Sequence, residues 1–160
     1  MHAMLTIRPE RPDQPEVAAL LEQLDAYLAS LYPPEANHIL DVQALLAPDV
    51  YFQVARRAGR LVGIGAFRRM PGETATAGEP YGEIKRMFVP PAERGQRIAE
   101  KLLNSLEDRL RTESYRWALL ETGVDQHEAI RLYERCGYVR RGAFAGYPDN
   151  GLSAFYAKAL

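Results

Sequence analysis

Cysteine is almost missing from this sequence of 160 residues: Cys136 stands alone, which excludes an internal disulfide framework and a thiolate zinc cage supplied by this chain. Histidine is nearly as scarce. His2, His38 and His127 do not stand at metal-ligand spacing, so no metal site is expected. No stretch approaches the roughly 18 consecutive apolar residues of a membrane span. There is also no block of one charge sign, since 20 basic and 21 acidic side chains leave a formal charge of −1. A general pull toward nucleic acid or a membrane surface is thereby excluded, and any basic site must be local. Residues 1–9 lack the basic region and apolar run of a secretory leader, which with the lone cysteine suits a cytoplasmic setting. Internal repeats and low-complexity segments are absent as well.

What is present fits one globular domain over residues 1–160, with 47% hydrophobic residues to build a core. A short strand over 5–8 precedes Val17, Leu20, Leu21, Leu24, Leu28 and Leu31, whose three- and four-residue steps predict an amphipathic helix that Pro33-Pro34 stops. Asp41 is placed to cap a brief second helix. Runs at 51–55 and 61–67 around Ala58-Gly59 predict a hairpin, and 82–89 a strand closed by Pro90-Pro91. From about Gly95 a long helix follows, with Ile98, Leu102, Leu103, Leu106 and Leu110 on one stripe, and then a buried strand over 117–122. Asp125 and Glu128 have the spacing of a capping box before a short helix that ends at Gly137. Closing strands are expected over 138–144 and 152–158. The order is β α α β β β α β α β β, an α/β fold whose strand-helix-strand crossover makes two strands parallel.

The chemistry concentrates in Arg94-Gly95-Gln96-Arg97-Ile98-Ala99, between a strand end and a long helix. A turn there presents backbone N–H groups beside the positive end of the helix dipole, which suits a diphosphate, and Arg94 and Arg97 add local charge. By itself the pattern is more often that of a solvated helix start. No Gly-x-Gly-x-x-Gly or Gly-Lys-Ser/Thr loop of the nucleotide-binding domains follows the strand.

The run 82–103, followed by Leu120-Glu121-Thr122-Gly123 and by residues 129–138, resembles the GNAT superfamily of acyl-CoA N-acyltransferases in motif text and order. The resemblance is clear over about residues 50–145. It implies a mixed, mostly antiparallel sheet in which one parallel strand pair splays apart. Arg94 and Ala99 match the family's turn motif, while Arg97 replaces its usual middle Gly and is expected to point outward. Gln126 stands where the family often has Asn.

The resemblance further implies acetyl-CoA as co-substrate, held by Met87, Phe88, Val89, Arg94, Gly95, Gln96, Arg97, Ile98, Ala99 and Tyr133. Acetyl would pass directly to a primary amine, on a small molecule, in a ternary complex. Tyr133 matches the tyrosine that donates to the departing sulfur, and Glu83 the position of a catalytic carboxylate, with Glu121 second as base. The plain readings are core packing for Tyr133 and a strand-end carboxylate for Glu83. Tyr32, His38, Asp41, Glu121 and Tyr147 are candidates for acceptor contacts, with a surface loop and a capping Asp as the alternative for the first region. Cys136 reads as a packing residue rather than an acyl carrier. A non-catalytic acyl-CoA sensor on the same fold is the other functional reading, and the sheet edges offer surfaces for a homodimer.

Overall fold

The structure is a computed structural model and describes residues 3–37 and 39–160. Seven strands form one sheet in the order β1-β2-β3-β4-β5-β7-β6. They are β1 (Leu5–Pro9), β2 (Val50–Arg57), β3 (Arg60–Met70), β4 (Tyr81–Phe88), β5 (Trp117–Gly123), β6 (Val139–Arg141) and β7 (Ser153–Ala159). All neighbours are antiparallel except β4 and β5. Among the described residues four α-helices accompany them: α1 (Pro15–Leu31), α2 (Val42–Leu45), α3 (Ile98–Thr112) and α4 (His127–Arg135).

The period of two along the central strands divides the core. Val54, Ile64 and Ala66 pack with Val17, Leu20, Leu21 and Leu24 of α1. Ala55 and, at an irregularity in the β2–β3 pairing that shifts the alternation, Val62 pack with Ile98 and Leu102, and Phe67 and Ile84 with Leu103, Leu106 and Leu110, all from α3. Successive side chains of a strand point to opposite faces, so α1 and α3 cover opposite sides of the sheet. Leu132 and Tyr133 of α4 join the α3 side. The fully buried Gln53 ties sheet to helix, donating to the Leu102 carbonyl at 2.8 Å and accepting from Ser105 Oγ at 2.9 Å.

Strand β4 breaks the regular pattern near its C-terminal end. Lys85 lies opposite Ala66 and Phe88 opposite Ile64, so two residues of β4, Arg86 and Met87, face the single Gly65 of β3. This is a β-bulge, and Arg86 takes it up with φ +58°. Gly65 leaves room opposite: a Cβ there would stand 2.6 Å from Met87 Sδ, and that side chain would have to shift. Pairing between β4 and β5 is limited to Gly82 with Ala118 and Glu83 with Leu119. Beyond Glu83 the two strands separate, which opens the middle of the sheet.

Three expectations need correction. The capping box at Asp125 and Glu128 does not form. Gln126 is the cap residue of α4, its Oε1 accepts from the Gly123 amide at 2.9 Å, and the Asp125 amide donates instead to Tyr32 Oη. Strand β6 has three residues rather than seven, because the chain turns away at Gly142 and Phe144 joins an aromatic cluster with Tyr81, Tyr147 and Phe155. Helix α3 starts at Ile98, three residues after Gly95, since Gly95 and Arg97 both take positive φ, +82° and +60°.

Candidate active site

Two cavities open at the splay. The larger, of about 530 Å³, is a groove between the β4 end, the start of α3 and the face of α4. Of the residues expected to hold acetyl-CoA, Met87, Phe88, Val89, Arg94, Gly95, Arg97, Ile98, Ala99 and Tyr133 line it. Gln96 does not, since its Oε1 accepts from Arg57 Nη1. The groove has the features an extended diphosphate ligand needs. Its floor is the N-terminus of α3, whose cap residue Arg97 supplies no side-chain hydrogen bond, so the first amides remain available to an anion.

The left-handed conformation of Arg97 gives the physical reason that a Gly suits this position. Its side chain is 81% exposed and 4.0 Å from Glu100, which keeps it out of the cradle. Arg94 is braced by donation from Nε to the Val89 carbonyl at 2.9 Å and by the Phe88 ring 5.8 Å away. Its Nη1 stands 3.8 Å from the exposed carboxylate of Glu128.

The smaller cavity, of about 100 Å³, lies between α1, β4 and β5. Tyr32, Asn37, Lys85, Arg86, Glu121 and Ser153 are among its walls. Ser153 Oγ donates to Glu121 Oε2 at 2.6 Å, and Oε1 receives no hydrogen bond among the described residues. Tyr32 is pinned by the Asp125 amide at 2.9 Å.

Glu83 sits deeper, with 2% of its surface exposed, and is not part of the wall. Tyr147 Oη donates to its Oε2 at 2.5 Å, and Lys85 Nζ reaches Tyr147 Oη at 2.8 Å and Glu83 at 3.4 Å. Tyr147 is therefore placed behind Lys85. Burial, with the Glu83 carboxylate beside it, drives the Tyr147 pKa far above that of an ordinary phenol. His38 lies outside the described residues. Asp41 caps α2, accepting from the Ala44 amide at 2.8 Å. Cys136 packs on the core, and burial raises its thiol pKa, which opposes a nucleophilic thiolate.

Leu24, Met87, Gln126 and Tyr133 line both cavities. Tyr133 thus stands where the groove meets the smaller chamber. Burial pushes its hydroxyl well above the usual pKa, with Cys136 adding to the effect, so it stays protonated. Sequence reasoning missed Leu24, Lys85, Arg86 and Ser153. A signal for two of them existed: Lys85-Arg86 places adjacent charges in a strand whose other residues are mostly apolar. Among the described residues no group of three or more His, Cys, Asp or Glu is placed to hold a metal ion, and no helix is long and apolar enough to cross a membrane.

A parallel pair that splays beside a helix-terminal anion cradle, inside an otherwise antiparallel sheet, defines an acyl-CoA N-acyltransferase fold. The model of the acetyltransferase (GNAT) family matches residues 17–138, and the chain belongs to that family as an N-acetyltransferase. The IAA acetyltransferase of Azospirillum brasilense is 47% identical over 156 residues, covering 98% of each chain. A solved protein of Klebsiella pneumoniae, assigned to the acyl-CoA N-acyltransferases, superposes with a TM-score of 0.77 at 37% identity, covering 98% of each. The PaiA N-acetyltransferase of Thermoplasma acidophilum, solved with coenzyme A, has the same fold (TM-score 0.71, 14% identity, covering 98% of this chain and 99% of that one).

Proposed function

We propose that this protein transfers acetyl from acetyl-CoA to a primary amine of a small molecule, by direct attack in a ternary complex. The observation that carries the reading is the meeting of the two cavities at Met87, Gln126 and Tyr133. One chamber is long and has an anion cradle at its far end. The other is small and carries a carboxylate, and the two share Tyr133.

Acetyl-CoA supplies the activated acyl group as a thioester. The chain's part is to hold it along the β4 edge freed by the bulge, where backbone groups near Met87 and Val89 pair with amides as an added strand would. A backbone N–H at that edge polarises the thioester carbonyl. Glu121, whose Oε1 is unengaged, takes the proton that the attacking amine must lose. Glu83, bonded to Lys85 and Tyr147, holds Lys85 at the chamber wall. As the C–N bond forms and the C–S bond breaks, the Tyr133 hydroxyl gives its proton to sulfur. Burial keeps that phenol in the protonated form the step requires.

The size of the smaller chamber favours a small acceptor over a protein chain. Thiol release from acetyl-CoA, assayed with purified protein against a panel of amines and amino acids, tests the reading. Amine-dependent release is expected. Tight acetyl-CoA binding with no release for any amine would favour the non-catalytic sensor.

A further inference from the structure

Arg86 is a buried cation with most of its donors unused. Only 4% of its side chain is exposed. Nη2 donates to the Leu21 carbonyl of α1 at 3.4 Å and stands 2.7 Å from Asp25 Oδ1 of the same helix, an ion pair without hydrogen-bond geometry, since Asp25 Oδ1 has no hydrogen-bond partner among the described residues. Nε and Nη1 are buried and have no hydrogen-bond partner among the described residues. These two atoms carry three of the five N–H donors of a guanidinium, a group that does not shed its charge. If Arg86 served only to tie β4 to α1, Nη2 alone would do so, and the remaining donors would stay desolvated at full cost.

The bulge decides where this cation sits. With φ +58° at Arg86, β4 departs from strict alternation, and both Lys85 and Arg86 belong to the wall of the smaller chamber. Asp25 balances one cationic charge and Glu83 lies against Lys85, which leaves Glu121 facing the chamber from the other strand. The partner that completes Arg86 is an oxygen acceptor. An anionic one recovers most of the desolvation, because charge-assisted bonds to guanidinium are the strong ones.

We propose that the amine acceptor also carries an acidic oxygen group, a carboxylate in the first instance, which Arg86 binds while Glu121 receives the amine. This rests on the acetyl-transfer reading and narrows it to amino acids and close relatives. The span is short. Met87, at the junction of the two cavities, is the next residue after Arg86, and the chamber holds only about 100 Å³, so amine and acid are separated by few bonds.

The test compares, on the wild-type protein, amino acids with their carboxamides and with aminoalkylphosphonates of equal chain length, at matched fractions of neutral amine. kcat/KM for the acid is expected to exceed that for the amide by about 100-fold, because hydrogen bonds to a charged acceptor are the stronger ones. The phosphonate arm distinguishes a planar carboxylate from a larger oxyanion. Arg86→Gln is expected to reduce the preference to less than about threefold through KM, with acetyl-CoA affinity unchanged, and Arg86→Lys to restore part of it. Should Arg86→Gln fail to fold, the wild-type panel still decides.

Acids lacking the amine supply a readout independent of turnover: they should raise the melting temperature of the wild type and leave that of Arg86→Gln unmoved. Equal turnover of acids and amides overturns the proposal. Acids that shift neither protein overturn it too, and assign water to the unused donors. If no amine releases thiol, the transfer reading fails by itself, and the thermal shift still reports whether Arg86 binds acids.

Discussion

The hydroxyl of Tyr32, at the end of α1, accepts a hydrogen bond of 2.9 Å from the amide of Asp125, 93 residues away. That contact lays the ring across Gly123, where a Cβ would stand 1.9 Å from Tyr32 Oη. One wall of the smaller chamber is thereby fixed to the end of β5.

Gly123→Ala is expected to displace Tyr32. The protein should lose about 1–3 kcal/mol of stability by overpacking, and KM for the acceptor should rise while acetyl-CoA affinity is kept. Denaturant unfolding and steady-state kinetics check this. An unchanged acceptor KM would remove Tyr32 from the chamber.

The two carboxylates are separable by substitution. Glu121→Gln is expected to lower kcat about 100-fold and Glu83→Gln about 10-fold, since only the first lines the chamber. In the wild type, kcat/KM should rise with pH as the acceptor amine becomes neutral. No fall from Tyr133 is expected until well above pH 10, because burial raises its pKa. A larger loss from Glu83→Gln would move the base to the Glu83, Tyr147 and Lys85 cluster.

The anion cradle predicts a salt-sensitive cofactor affinity. Arg94→Ala should weaken acetyl-CoA binding about 10-fold at low salt, and less at high salt, with kcat little changed. Calorimetric titration at two ionic strengths measures it.

Acid should destabilise the protein through two carboxylates remote from the site. Hydrogen bonding to Arg56 holds Glu10 down at about 2, and Arg69 does the same for Glu113. A depressed folded pKa contributes stability that is present above the unfolded value near 4.5 and lost as pH falls toward 2. Melting temperature should fall across that window. Glu10→Gln should flatten the fall and cost about 1 kcal/mol at neutral pH.

Much of this was legible in the sequence where the determining interactions are local. The Leu102, Leu103, Leu106 and Leu110 stripe marks α3, and Pro90-Pro91 marks the end of β4. The motif text named nine residues of the groove wall; it also named Gln96, whose side chain Arg57, far along the chain, engages, and it did not reach Leu24, which α1 brings in. What local pattern conceals is set by distant partners. The bulge at Arg86 exists because Gly65 opposes two residues, and a register mismatch is a property of the strand pair. The capping box failed likewise, since Tyr32 takes the Asp125 amide and Gln126 turns back to Gly123. Arg86 was passed over because burial and unused donors are properties of the folded state.

The position of Tyr133 between the two chambers is the centre of the account, and Tyr133→Phe tests it most directly. The change removes one oxygen and keeps the ring packing of 5.9 Å against Tyr138. With kcat and acetyl-CoA affinity measured on the same preparation, kcat should fall by about 100-fold while affinity and melting temperature stay near those of the wild type. An unchanged kcat would contradict the donor role and return Tyr133 to the hydrophobic core.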